Sequence, residues 1–218
     1  MKTGASLSVF KFPTGPLQTN AYVLVEERSD SAVVVDPGYD DGTLVKFIDK
    51  RSLKIEKILL THGHFDHIGA VPELKLKTKA EVWIHPFDAD MLIDPSKNLS
   101  AYVNVHFSMQ PADGLFKDGM SIRLGSSEIR VIHTPGHSPG SVCFYCDGFL
   151  IAGDTLFRDS IGRTDFPGSS TERLIQSIRC KILPLGDKTI VHPGHGDDTT
   201  LAHEKRNNPF LREGIFGV

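Results

Sequence analysis

Short apolar blocks alternate with turn-forming stretches along most of the chain. Residues 7–12, 21–26 and 32–36 are rich in β-branched and aromatic side chains. They are parted by Pro13-Thr14-Gly15-Pro16 and Arg28-Ser29-Asp30, and Asp36-Pro37-Gly38 stops the third block. This pattern predicts three strands. In 41–51 the apolar residues Leu44, Val45 and Ile48 fall at helical spacing. A short apolar strand is expected over 55–60. A helix is expected over 68–76, its apolar face built from Ile68, Val71, Leu74 and Leu76, with Pro72 suited to the first turn. A second series opens near Gly119, with strands over 120–124, 129–133, 142–146 and 149–152, a helix over 172–180, a strand over 189–191 and a last helix over 200–207. Strands followed by helix thus occur twice, with no linker and no low-complexity segment. The pattern predicts a single pseudo-duplicated α+β domain spanning 1–218, with two sheets packed face to face and helices outside.

Composition narrows the function classes. The 218 residues carry 24 Lys and Arg against 27 Asp and Glu, a net charge of −3, with no basic tract. Nucleic-acid binding through phosphate neutralisation is therefore not expected. Apolar runs such as Ala32-Val33-Val34-Val35 are far shorter than a membrane span. The opening Met1-Lys2-Thr3-Gly4-Ala5-Ser6 lacks an apolar core, so export is not expected. Three cysteines, an odd number, fit a reducing, cytoplasmic compartment. Cys143 and Cys146 are spaced C-x-x-C, but on a strand they face opposite sides, which predicts structural rather than redox roles.

The chemistry concentrates in Thr61-His62-Gly63-His64-Phe65-Asp66-His67, joined downstream by His137, Asp154 and His195. Imidazole and carboxylate suit zinc, iron and manganese. Five imidazoles and two carboxylates exceed the needs of one tetrahedral ion, so the set predicts two divalent ions with an activated water between them. His62 and His64 alternate on an extended segment and can turn to one side. Asp66 and His67 stand at a helix start, where the helix dipole favours a carboxylate, and Gly63 is expected to let the backbone bend. The other three follow strands within Thr134-Pro135-Gly136-His137, Ala152-Gly153-Asp154 and His192-Pro193-Gly194-His195. Loops at one rim of a sheet sandwich can bring such residues together. His85, His106, His133, His192 and His203 stand alone and are not counted as ligands.

The chain resembles the metallo-β-lactamase-fold hydrolases, and among them glyoxalase II, the hydroxyacylglutathione hydrolases. The matching stretches are Thr61–His67, residues 134–141, Gly153-Asp154-Thr155-Leu156-Phe157, Gly162-Arg163, Pro193-Gly194-His195-Gly196 and Asn208-Pro209-Phe210. The resemblance implies an αββα sandwich of two mixed sheets. It also implies a dinuclear centre, with zinc foremost and iron or manganese as the alternatives. His62, His64 and His137 would hold one ion, Asp66, His67 and His195 the other, and Asp154 would bridge. Asp66 and Asp154 are the catalytic carboxylates on this pattern, and Asp36 would steady the histidine loop. The implied reaction is hydrolysis of a small thioester such as S-lactoylglutathione, with no nucleic-acid or membrane partner. The sequence fixes no oligomeric state. Departures from the pattern are the short tail after His195, as in forms without the C-terminal helical domain that grips glutathione, and Ile161 where cysteine is common. A persulfide dioxygenase using one iron on His62, His137 and Asp154 is the alternative, and a lactone hydrolase the third reading. Arg163 is the candidate for the substrate's anionic part, against a local ion pair with Asp159 or Asp165.

Overall fold

The computed structural model describes residues 7–212. The opening hexapeptide, on which the expectation about export rests, lies outside them. The first sheet runs in spatial order β1-β2-β3-β4-β5-β6, built from Leu7–Thr14, Thr19–Glu26, Ser31–Val35, Lys54–Leu59, Glu81–Ile84 and Gly114–Leu115. Its first three strands are antiparallel, and β3 through β6 are parallel. Helix α1 (Thr43–Lys50) makes the crossover from β3 to β4, while α2 (Phe65–Ile68) and α3 (Val71–Thr78) make that from β4 to β5. The second sheet comprises β7 (Ser121–Leu124), β8 (Ser127–His133), β9 (Val142–Cys146), β10 (Phe149–Gly153), β13 (Ile190–Pro193) and β14 (Thr199–Thr200). It is also mixed, since β10 pairs with β13 in parallel. A small hairpin, β11 (Leu156–Phe157) with β12 (Ser160–Ile161), precedes α4 (Thr171–Ser177), and α5 (Leu201–Asn207) follows β14.

Strand alternation sorts the apolar residues into three layers. On β2, Tyr22 and Leu24 face the space between the sheets, where they join Phe144, Val131 and Ile151 of the second sheet. Ala21, Val23 and Val25 face the other way, into a layer completed by Leu44 and Ile48 of α1 and Val71 and Leu74 of α3. The second sheet packs its outer face on Leu174 and Ile175 of α4 and Leu201 of α5. The result is the αββα sandwich of the metallo-β-lactamase fold. Cys146 falls in the layer between the sheets and Cys143 in the outer one, so the two thiols do face apart.

Local expectations fail in instructive places. The helix over 68–76 is two pieces, α2 and α3, parted at Gly69 and Ala70. Leu76 is not on a buried face but 72% exposed. Pro72 does sit in the first turn of α3. After α4 the chain winds on as a π-helical turn over Ile178–Ile182, so that helical region outruns the expected 180. β5, β6 and the 3₁₀ turns at Pro86–Leu92 and Ser100–Val103 carry too little periodicity to be found from sequence. Among the described residues, no helix is long and apolar enough to cross a membrane.

Candidate metal centre

The chain segments following β4, β8, β10 and β13 meet at one rim of the sandwich and bring together all seven residues singled out above. His62, His64 and His137 place one donor atom each within 4.8 Å of one another, and Asp66, His67 and His195 form a second such group. Asp154 lies between the groups. Its Oδ1 is 3.4 Å from His67 Nε2, and its Oδ2 is 3.5 Å from His137 Nε2 and 3.7 Å from His195 Nε2.

The ring orientations are set from behind. His67 Nδ1–H donates to Asp36 Oδ2 at 3.0 Å, His137 Nδ1–H to the Arg163 carbonyl at 2.8 Å and His195 Nδ1–H to the Leu17 carbonyl at 3.1 Å. Thr61 Oγ1 gives its own proton to Asp36 Oδ2 at 2.6 Å and so accepts from His62 Nδ1 at 3.0 Å. In these four rings, when neutral, the proton then sits on Nδ1 and Nε2 carries the lone pair, the tautomer a metal needs; His64 is the exception, its Nδ1 lying 2.9 Å from His137 Nε2. His62 Nε2, His67 Nε2 and Asp154 Oδ1 are buried without a hydrogen-bond partner. Buried polar atoms without partners are costly, and their convergence fits divalent cations. A further grouping, Asp36 with His62 and His67, is accounted for by the hydrogen bonds just described.

Electrostatics separate the two groups. Burial pushes His62 far below the usual histidine range and His64 to about 3, each also repelled by neighbouring imidazoles. His137 is lowered by the same burial. Burial opposes charge on His67 too, but Asp66, Asp154 and Asp36 outweigh it and raise its pKa well above normal. His195 is raised likewise, by Asp66 and Asp154 against burial. Burial would raise the Asp154 carboxyl, yet His67 and then His137 hold it at about 2. Asp66 is also depressed, by His67, His195 and Thr19 against burial. Thr19 Oγ1 donates to Asp66 Oδ2 at 2.8 Å. Asp66 does stand in the first turn of a helix, the single-turn α2, as expected.

Asp36 accepts from the Thr61 backbone N–H at 2.7 Å and from the Thr61 hydroxyl and His67. It ties the histidine loop to the end of β3, the place the family resemblance implies for it. Gly63 serves differently from the expectation. Its φ is not positive, and a Cβ there would strike the Met91 side chain, so close approach rather than a bend requires glycine. At Gly194 a Cβ would run into the Asp154 carboxylate.

Sequence reading missed Asp88. It is fully buried, accepts from Ser138 Oγ at 2.5 Å and from Gly140 N–H at 2.6 Å, and also bonds the Gly63 backbone. It therefore staples the His62–His64 loop to the His137 loop. Burial pushes its carboxyl up to about 6 against those hydrogen bonds. Asn20 and Tyr22 were missed as well. Asn20 Nδ2 and Tyr22 Oη both donate to the Pro193 carbonyl, at 3.0 and 2.6 Å, and fix the His195 loop from β2. No short motif marks these partners, because each lies far from its target in sequence.

The donors open on a cavity of about 760 Å³ walled by Leu17, Phe65, Tyr102, Val103, Phe157 and Phe166 among others. Arg163 lines it too, but its guanidinium is engaged: Nε and Nη2 donate to Asp165 Oδ1 and Oδ2 at 3.0 and 2.7 Å. The Arg163 guanidinium also stacks 4.5 Å from the Phe166 ring centroid.

Two mixed sheets under helices, with histidines and aspartates gathered at one rim, define a metallohydrolase-type site. The chain belongs to the metallo-β-lactamase superfamily, whose family model matches residues 14–195. Over 204 residues it is 39% identical to the "Probable metallo-hydrolase YqgX" of Bacillus subtilis, covering 92% of this chain and 96% of that one. It is 36% identical to the hydroxyacylglutathione hydrolase GloC of Haemophilus influenzae, covering 91% and 95%. Among solved structures, the B3 metallo-β-lactamase BLEG-1 is 43% identical with a TM-score of 0.89, covering 94% of this chain and 99% of that one. TTHA1623, solved in a di-iron-bound form, is 38% identical with a TM-score of 0.82, covering 93% and 100%. ETHE1 from Myxococcus xanthus is 26% identical with a TM-score of 0.79, covering 93% and 83%.

Proposed function

We propose that this protein is a metal-dependent hydrolase that cleaves a small thioester. The observation that carries the reading is the pair of donor groups sharing Asp154, at the base of a cavity large enough for a small molecule. His62, His64 and His137 would hold one ion, Asp66, His67 and His195 the second, with Asp154 between them. When bound, such a pair of ions lowers the pKa of a water towards neutrality and polarises a carbonyl. The chain supplies the rest. Asp36, Thr61 and the carbonyls of Arg163 and Leu17 engage Nδ1 of His67, His62, His137 and His195 and leave Nε2 as the atom turned toward the donor groups. Asp66 stays ionised at neutral pH and offers Oδ2, already fixed by Thr19, as an acceptor that can orient a nucleophilic water. A thiolate leaving group, of free pKa about 8.5, needs no strong acid, and among the described residues the cavity presents no free ammonium or guanidinium to act as one.

Similarity to the GloC hydroxyacylglutathione hydrolase supports a thioester, with glutathione as the first thiol to test. Zinc fits the histidine and carboxylate donors, and the di-iron form of TTHA1623 makes iron the ion to compare with it. Buried, separated free thiols at Cys143 and Cys146 favour a reducing, cytoplasmic setting. The deciding experiment is metal analysis of the purified protein together with hydrolysis of S-lactoylglutathione, lactones and a β-lactam. Two ions per chain and thioester turnover support the reading. One iron per chain with oxygen consumption on glutathione persulfide would replace it with the dioxygenase chemistry implied by the alternative triad His62, His137 and Asp154.

A further inference from the structure

The cavity over the donors does not end at them. On the Asp66 side it meets a second hollow of about 370 Å³, with which it shares Leu17, Phe65, Asp66 and Val103. This side arm is closed by the β1–β2 turn at Gly15 and Pro16, by Tyr39, and by Val105. Apart from Asp66 at its mouth and the threonines Thr14 and Thr19, its lining is apolar, and those hydroxyls are committed. Thr14 Oγ1 donates to the Thr19 carbonyl at 3.0 Å and Thr19 Oγ1 to Asp66. Tyr39 lines the arm with ring carbon, since its hydroxyl, which has no hydrogen-bond partner, is itself buried. The ring is held in place because Gly69 packs against it with no room for a Cβ. Among the described residues no lysine or arginine lines the arm, and the arginine of the main cavity, Arg163, is paired with Asp165. At the open edge, Leu17, Val103 and Val105 are about half exposed, at 54%, 53% and 49%.

A lactoyl group would bring a hydroxyl to this arm and leave most of its apolar wall in contact with water. An extended hydrocarbon chain would cover that wall at no further desolvation cost, since the one unpaired hydroxyl of the lining, that of Tyr39, is already buried. We propose that the side arm receives an apolar acyl chain, so that the substrates of this site are thioesters of unbranched fatty acids several carbons long. The inference rests on the thioester-hydrolase reading and specifies its acyl half.

The test uses the zinc-loaded full chain and N-acetylcysteamine thioesters of two, four, six and eight carbons. Each methylene that enters the arm is expected to raise kcat/KM by about fourfold. The free alkanoates of the same lengths, measured as ligands by calorimetry, are expected to show a parallel gain in affinity. Val105→Asp places a charge in the arm at a half-exposed position, outside the buried core. It should flatten both series with metal content unchanged, whereas Leu76→Asp, on the far helix α3, should leave both series as in the native protein. A flat series in the native protein, or a steep one that survives Val105→Asp, overturns the proposal. If no thioester of any length is cleaved, the hydrolase reading falls on its own, and the alkanoate series still decides whether the arm takes a chain.

Discussion

The two donor groups lie within a few ångströms of each other yet are built on opposite principles. His62, His64 and His137 are buried imidazoles whose dominant influence is desolvation, and all three are held neutral. For Asp66, His67 and His195 burial is also the largest single influence, but opposite charges and hydrogen bonds together overcome it, and both histidines are driven toward the charged form. His195 also keeps 30% of its side chain exposed. The first group is organised by packing and the second by charge, with Asp154 shared between them. The lesson is that one chain can preorganise lone pairs without charge on one side and compensate cations on the other.

The largest expected effect comes from removing what the groups share. Asp154→Ala should lose both ions and cut turnover more than any outer hydrogen-bond partner does. Metal analysis checks this, and retention of two ions would remove Asp154 from its bridging place. Next, His195→Ala should leave one ion per chain, seated in the buried group, with sharply reduced turnover. Full activity with two ions would break the division into groups. Asp36→Ala should lower metal affinity or activity roughly 10- to 100-fold, because it frees His67 and the Thr61 loop while removing no ligand. Asp88→Ala should act through the loops it staples and reduce affinity in the His62–His64–His137 group more than in the other, readable by competition with a chelator.

Acid sharpens the comparison further. Protons compete with metal for each lone pair. The raised pKa values of His67 and His195 mean that they take up protons at higher pH than an ordinary histidine as pH falls, while His62, His64 and His137 resist protonation until well below it. Occupancy should therefore fall from two ions to one, and only at lower pH from one to none. Simultaneous release would contradict the contrast. The smallest effect belongs to Arg163→Ala. Its exposed pair with Asp165 contributes little, as such pairs do, so metal content and the KM for an anionic thioester should stay unchanged.

The sequence alone determined the ingredients. The run 61–67 and the glycine-punctuated turns after strands named all seven residues that the fold gathers, because metal donors are rare residue types and cluster locally where one loop supplies several. Alternation on β9 also assigned the opposed thiols of Cys143 and Cys146 to different faces, since strand geometry has a fixed period of two. Tertiary structure decided what holds and surrounds them. Asp88, Thr19, Asn20 and Tyr22 reach partners 50, 47, 173 and 171 positions away, and no local pattern encodes such a pairing. The same holds for the apolar side arm, made by turns and loops whose side chains read as ordinary surface until the chain folds. Periodicity reports a residue's immediate neighbours along the chain. Which imidazole loses its proton, which carboxylate stays charged and which hydrophobic residues wall a cavity depend on distance in space, and that is fixed only when the two sheets pack and bring their rim loops together.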